Sequence, residues 1–595
     1  MRTRLRRTGL VSAGLAVVLV AGGCASVPTE GQVRNGSKNA AAASGGKVGV
    51  EAQQPRTNAK PAALVSGFVE AMSDFSNYDT ARQYMTPAAA AKWEPEKGIT
   101  VYDQSSTKAL TQVPGTNTIR LRAPKIGTID ARGSWSSAPR GSMVDFSFTV
   151  QQADGQFRVS SVPNGTFLPN NQLESRLEPY ALYFANRDRN MLVPDPIYLP
   201  QLPPGQVATR LVQELLKGPT DRLGNGVGTA APPGTQVNVS VPVELGEATV
   251  ELSKSAAGLS NADRSVLAAQ IMWTLRPIST RVKITVDGAG LEVNTSDALQ
   301  FANYAQFDPT VPTPQMKELY GIVGKKIVRG NLDSATTIGI TRLDQSLLFK
   351  YAATSFAVSL TGEAGAVETV VDGNDVIAYG PLVEAVDDSD KVDLIPTDGK
   401  VLRPSFDAQE NLWIVDRADS SAPRLRMRSK DGKIVEVRTT FDGREPVQLR
   451  MAPDGVRALL VITGKNGQNT VETGTITTDN AKKLQLTQTR RLEVPLYDIT
   501  DATWNQLGVL VSGRPTPQGA RQPWLVNVDG SAPRVIPGSP NNAFQSETLA
   551  SNPNIDTLPV VRDVDGTTHW QSKDLNWSEL EENEQPINIL PVYPG

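Results

Sequence analysis

Cys24 and His569 are each the only residue of their type in a chain of 595 residues, and that scarcity bounds the chemistry available to it. A zinc site of histidines and cysteines cannot be assembled from one of each. A Ser-His-Asp arrangement would have to recruit His569. Thr567 and Thr568, however, read as the exit from a turn at Asp565-Gly566 into a strand through Trp570, which points to a structural histidine. The chain has no G-x-x-x-x-G-K-[ST] loop and no G-x-G-x-x-G leading into a helix, so nucleotide binding has no motif behind it. Carboxylates are scattered throughout, and no pair is singled out by spacing. The reading assigns no catalytic residue, no metal ligand and no cofactor, and expects a protein that is not an enzyme.

Cys24 is the one residue with a chemistry of its own. Arg2, Arg4, Arg6 and Arg7 precede an apolar run over residues 10–20, which ends in Ala21-Gly22-Gly23-Cys24. That is the three-part layout of an export signal, and its apolar run is too short to cross a hydrocarbon core of about 20 residues. The segment before the cysteine resembles a bacterial lipobox, with Ala21 where leucine is usual. Arg6-Arg7 is followed by Gly9 and Leu10, a poor fit to a twin-arginine signal, so general secretion is expected. A lone cysteine can form no disulfide within the chain, and acylation gives it a purpose. The expectation is cleavage after residue 23 and lipidation of Cys24 as an N-palmitoyl, S-diacylglycerol cysteine, with the mature protein on the extracytoplasmic face of the cell membrane. The chain carries 59 Lys and Arg against 62 Asp and Glu, and loss of the four leader arginines leaves 55 against 62, a net charge of −7. With no basic run, the electrostatic footprint of nucleic-acid binding is missing.

The elements that would stand on this anchor form a multidomain chain. Residues 24–59 are rich in Gly, Ala, Ser, Asn and Gln and read as a flexible tether. An N-terminal α+β domain is expected over 60–190. It opens with an amphipathic helix carrying Leu64, Val65, Phe68, Val69 and Met72, and a second helix from Asp79. Val144, Phe146, Phe148 and Val150 alternate toward Asp154-Gly155, and Phe157 and Val159 alternate back, which is a hairpin. Helices before a curved sheet suggest an NTF2-like cone, its mouth filled by these Phe and Val side chains. Over 197–310, an amphipathic helix through Leu211 and Leu215 stops at Gly218-Pro219, and Ala231-Pro232-Pro233-Gly234-Thr235 forms a turn. Strands at 237–241 and 249–252 follow, then a helix through Leu267, Gln270, Ile271, Trp273 and Leu275, then a strand at 282–286 running into Asp287-Gly288. Trp273 reads as core. These segments resemble the GerMN domain, a small non-enzymatic α/β module.

From 333 to 595 the texture is short alternating strands. Asp-Gly pairs recur at 372–373, 398–399, 431–432, 442–443, 454–455, 529–530 and 565–566, each read as a hairpin turn; calcium ligation is the alternative use of these aspartates, and turn chemistry suffices. A degenerate repeat links Leu402-Arg403-Pro404-Ser405-Phe406-Asp407, Arg450-Met451-Ala452-Pro453-Asp454 and Ala502-Thr503-Trp504, each followed by an apolar strand. Such a period suits the four-stranded blades of an all-β propeller-like domain.

Leader, cone, GerMN-like module and propeller, in that order, resemble the actinobacterial lipoprotein LpqB family over essentially the whole chain. The resemblance implies a non-catalytic envelope protein that contacts the extracytoplasmic sensor domain of the histidine kinase MtrB and modulates the MtrA–MtrB two-component system, affecting cell-wall homeostasis and division. Of the family's features only the lipidated cysteine transfers to a numbered residue, Cys24. The rival reading is a cell-wall polymer binder or glycan-processing protein that uses carboxylates with exposed Trp504 or Trp570.

Overall fold

The computed structural model describes residues 52–595 except 76, 105–108, 292–297, 310–316, 333–338, 384–390, 440, 442, 538–544, 555–556, 573 and 583–584. Cys24 and most of the expected tether lie outside the described residues. The last part of that tether is not free. Tyr84 donates its hydroxyl to the Gln53 carbonyl at 2.8 Å, Asn58 N–H bonds Gln156, and Ala52 and Ala59 pack on the first core.

The N-terminal unit starts with helices α1 (Pro61–Ala71), α2 (Asp79–Gln83) and α3 (Pro87–Lys92). Proline opens α1 and α3, where its missing N–H costs nothing, and the Thr86 hydroxyl caps α3 by accepting from Ala89 N–H. Against them lies a bent sheet of β1 (Gly98–Tyr102), β2 (Leu110–Gln112), β3 (Thr118–Asp130), β4 (Trp135–Ser137), β5 (Met143–Ala153), β6 (Gln156–Ser161) and β7 (Thr166–Pro169). The 13-residue β3 makes the bend. It pairs with β5 up to Pro124 and with β1 from Lys125 onward, where the register shifts. Phe68 meets Trp93 at 5.6 Å and Phe148 at 6.2 Å between ring centres, so aromatic rings fill the cone as expected. Asp154 and Gly155, both at positive φ, form the two-residue turn between β5 and β6.

A single helical turn, α4 (Leu173–Arg176), leads to a hairpin of β8 (Leu177–Ala185) and β9 (Leu192–Pro200). The packing puts this hairpin with the second unit, upstream of the boundary read from sequence. Tyr180, Leu182 and Phe184 share one core with α5 (Pro204–Leu216) and α6 (Asn261–Leu275). Two α6 side chains bind its backbone: Thr274 accepts from Tyr183 N–H and Gln270 donates to the Tyr183 carbonyl. β11 (Glu247–Leu252) and β12 (Arg281–Val286) are parallel and α6 crosses between them, with β10 (Val243–Glu244) and β13 (Ala289–Gly290) on the edges. The expected strand at 237–241 pairs with β11 through the Val237–Leu252 bridge and the flanking bonds from Asn238 N–H to Glu251 and from Ser253 N–H to Gln236, while Val241 N–H goes to the Thr209 hydroxyl of α5. Trp273 is buried in this core.

Among the described residues the third unit is a propeller of six four-stranded blades, the third and fourth of which join edge to edge into one eight-stranded sheet. Blade 1 joins Leu590–Val592, as innermost strand, to Leu319–Val323, Lys326–Asn331 and Gly339–Arg342, so the two ends of the domain close one sheet. Blades 2 to 6 begin on the inner strands Ser355–Val358, Ser405–Phe406, Glu445–Met451, Tyr497–Asn505 and Ser546–Ala550, and the six inner strands contact one another in a closed ring. The repeated segments of the sequence are the two inner strands of blades 3, 4 and 5. Neighbouring blades are tied by side chains to backbone: Ser405 accepts from Met451 N–H, Gln448 exchanges two bonds with Ala502, and Asp501 accepts from Leu549 N–H. Of the Asp-Gly pairs, 372–373, 431–432, 454–455, 529–530 and 565–566 join strands within a blade. Asp398-Gly399 instead lies in the connection from blade 2 to blade 3, and Asp442 is outside the described residues. A favoured turn residue serves either connection, since both need positive φ, here +60° at Gly399.

Candidate functional site

His569 sits on the third strand of blade 6, and its Nε2 is 3.9 Å from Asp563 Oδ2, too far for the orienting hydrogen bond of a catalytic dyad. Burial lowers its pKa below the ordinary histidine value. The Asp563 Oδ1 atom instead accepts from the backbone N–H groups of Gln545 and Val564. Trp504 and Trp570, expected as an exposed glycan platform in the rival reading, are only 5% and 4% exposed. Trp504 donates to the Arg450 carbonyl between blades, so its ring is a packing element. Asp454, Asp529 and Asp565 each turn a carboxylate oxygen onto the N–H two residues on, at 2.9 Å. Among the described residues no group of three His, Cys, Asp or Glu is placed to hold a metal ion.

What the structure does assemble is a junction of all three units around the β3–β4 loop. Asp130 holds this loop by accepting from Arg132 and Ser134 N–H, and Gly133 (φ +90°) passes so close to β9 that a Cβ would lie 2.5 Å from the Tyr198 carbonyl. The loop projects Arg132 onto the C-terminal end of α5. Its Nη2 donates to the carbonyls of Glu214 (3.1 Å) and Gly218 (2.7 Å), and its Nη1 to Pro219 (3.0 Å). Its Nε lies 3.3 Å from the fully buried Glu214 carboxylate, which Arg210 (3.1 Å) and Lys217 (2.8 Å) also approach. A helix end has unsatisfied carbonyls and a negative dipole, and a forked cation answers both.

Below Arg132, Arg222 donates to the Trp135 carbonyl at 2.6 Å. The Asp195 carboxylate, whose pKa burial raises, accepts from both the N–H and the hydroxyl of Thr220. The propeller closes on the same place: Thr475 donates to the Arg222 carbonyl, Ser137 to the Gly530 carbonyl, Tyr198 pairs with Ser531 at 2.7 Å, and Asn186 donates to the Asp454 carbonyl. Arg140 lies 3.8 Å over the Tyr497 ring and donates to Leu496. Gly226 abuts blade 4 with no room for a side chain, since a Cβ would come within 2.1 Å of Thr475 Cγ2. Residues 52–595 accordingly form one compact unit.

Two concavities open beside this junction. A cleft of about 910 Å³ between the first two units has Phe75, Ile99 and Leu202 on its walls and Arg132, Arg210 and Lys217 at one side. A crease of about 1400 Å³ between the outer strands of blades 3 and 4 has a floor of Leu425, Met427, Val435 and Val437, with Lys433, Lys482 and Lys483 on its rim. Those outer strands are parallel neighbours at only Arg438 and Thr439, which leaves the crease open along Ile434–Val437. On the rim of the crease the Ser429 hydroxyl donates to the Asp431 carboxylate within the turn between two strands of blade 3. Both concavities offer apolar area with a polar rim, the composition of a protein-binding surface. Sequence reasoning missed them because their residues come from distant segments with no shared motif.

Family comparison matches residues 54–174 to "Lipoprotein LpqB, N-terminal domain", 181–292 to "Sporulation and spore germination" and 330–594 to "Lipoprotein LpqB beta-propeller domain". The chain is 27% identical to lipoprotein LpqB of Cutibacterium acnes, over 99% of this chain and 100% of that one. It is 26% identical to lipoprotein LpqB of Thermobifida fusca, over 99% of both. Among solved structures it is similar to TolB from Acinetobacter baumannii, with 13% identity, a TM-score of 0.36, and coverage of 48% of this chain and 68% of that one. No described helix is long and apolar enough to cross a membrane. With its two LpqB-specific domains in order on either side of the germination-type module, the chain belongs to the lipoprotein LpqB family.

Proposed function

We propose that this protein is a non-catalytic adaptor, lipidated on Cys24 and held at the extracytoplasmic face of the cell membrane, that binds the sensor domain of the histidine kinase MtrB and biases its signalling state. The observation that carries the reading is the junction at Arg132 and Arg222, which locks three domains into one body while leaving two rimmed concavities open. A rigid body on a tether can transmit binding energy to a membrane receptor, provided that it binds one receptor state more tightly than the other. Family membership supports the lipid anchor and the envelope setting. The test is crosslinking and co-purification from intact cells, comparing wild type with Cys24→Ser. Recovery of the kinase that falls when the anchor is lost supports the adaptor. Recovery of wall polymer alone favours a cell-wall binding role instead.

A further inference from the structure

The crease between blades 3 and 4 exposes backbone as well as side chains. Ser429 N–H donates to the Lys433 carbonyl at 2.9 Å, closing the turn ahead of the outer strand Ile434–Thr439. Bonded and unbonded positions alternate in an antiparallel pair. From that bond onward Val435 and Val437 therefore direct their N–H and C=O groups to the neighbouring strand Arg424–Arg428, while Ile434, Glu436 and Arg438 direct theirs the other way, toward blade 4. Arg438 meets the blade 4 strand Leu484–Leu492 there, and the outward groups of Ile434 and Glu436 find no partner among the described residues. Blade 4 presents to that stretch the tip of its last hairpin, closed by Asp479 N–H on the Lys483 carbonyl, in place of a strand.

Seven basic residues line the crease against two acidic ones, Asp431 and Glu436, in a chain that is negative overall. Arg417, Arg424 and Arg438 are paired with Asp398, Asp416 and Asp479. Lys433, Lys482 and Lys483 form no ion pair among the described residues. Lysines beside an open edge are an ordinary defence against copies of a chain pairing with one another, but that defence needs no apolar floor, and here Leu425, Met427, Val435 and Val437 provide one. Donors and acceptors at strand spacing match another polypeptide backbone, a pattern that neither a lipid headgroup nor a nucleic acid reproduces. We infer that the crease binds an extended acidic segment of a partner protein, which adds as a strand along Ile434–Val437 with its carboxylates on the three lysines and its alternate apolar side chains on the floor. The inference rests on the adaptor reading only for which protein carries that segment.

The test uses the full chain and a short fluorescent peptide alternating glutamate with valine, beside the same peptide N-methylated along its backbone, a glutamate oligomer of equal length, and phosphatidylglycerol vesicles. The alternating peptide should bind saturably, at least about tenfold more tightly than either control peptide, and should slow hydrogen exchange at the Ile434 and Glu436 amides. Lys482→Glu combined with Lys483→Glu should weaken it by about tenfold. Glu436→Pro separates the two halves of the inference. It deletes an outward N–H without touching the bonds to Arg424–Arg428, so strand addition predicts weaker binding, whereas charge attraction alone predicts a gain from removing a carboxylate. No binding, equal binding of the N-methylated peptide, tighter binding by Glu436→Pro, or displacement of the peptide by vesicles overturns the inference. Should Glu436→Pro fail to fold, the peptide comparison and the exchange measurement on wild type decide alone. Peptide binding without recovery of the kinase from cells sinks the adaptor reading and leaves the crease site standing. Recovery of the kinase without peptide binding does the reverse.

Discussion

Removal of Arg132 is the sharpest probe of how the units are joined. In Arg132→Ala the Gly218 and Pro219 carbonyls lose their donor, the Glu214 carbonyl keeps only Lys217 N–H, and the buried Glu214 carboxylate loses one of three cations. Each charge-assisted hydrogen bond is worth about 1.5–3 kcal/mol where water cannot replace it. The Arg132 side chain is 28% exposed, so water re-solvates part of what is lost, and Glu214 keeps Arg210 and Lys217. The four contacts also share one guanidinium and do not add. A destabilisation of about 2–3 kcal/mol is therefore expected, with Arg132→Lys recovering the charge but not the fork and falling about midway. Calorimetry should show the first two units melting together in wild type and separately in Arg132→Ala. A double-mutant cycle with Glu214→Gln should give a coupling of about 1–2 kcal/mol. A cost below about 0.5 kcal/mol, with the melt still single, would refute the claim that this residue joins the units.

Other consequences follow from the same geometry. Gly226→Ala should overpack the contact with Thr475 and Val456, cost about 1–3 kcal/mol, and make the segment around 218–228 newly sensitive to limited proteolysis. As the single histidine, His569 gives a clean pH signature: its folded pKa lies below the unfolded value near 6.5, so the unfolded chain takes up the proton first and stability is lost as pH falls through that range. Urea unfolding between pH 7.5 and 5.5 should show that loss in wild type and a smaller one in His569→Gln. Cys24→Ser should move the protein from the membrane fraction to the soluble fraction without changing the Tm of residues 52–595.

Much of the fold is written in local pattern. The helix carrying Phe68 and the hairpin at Asp154-Gly155 were legible because period and turn chemistry agree, and the inner strands of blades 3 to 5 because their segments repeat. In blades 2 and 6 only the Asp-Gly turns and the strand through Trp570 were legible, and blade 1 was not, since it is closed by a strand more than 250 residues away, a pairing that leaves no local trace. The strand expected at 237–241 is kept in part: Val237 bridges Leu252 and Asn238 N–H bonds Glu251, but Val241 N–H turns to the Thr209 hydroxyl of a helix, a tertiary contact with no local signal. The hairpin of β8 and β9 falls across the boundary drawn between 190 and 197, because no local pattern says against which core it packs. The junction was illegible for the same cause. Arg132 and Arg222 look like ordinary charged residues until the fold carries α5 and β4 to them. Trp504 and Trp570 show the converse, since an aromatic residue in a strand pattern is as easily core as platform.

The central claim is that one rigid, anchored body binds the extracytoplasmic sensor domain of MtrB. Its most direct test is a binding titration of purified residues 52–595 against that sensor domain on a supported bilayer. The account predicts saturable binding that weakens when Lys433, Lys482 and Lys483 of the crease, or the apolar walls of the cleft at Phe75 and Leu202, are changed to Ser. No binding at any concentration up to the sensor domain's solubility, with both proteins folded, would contradict it.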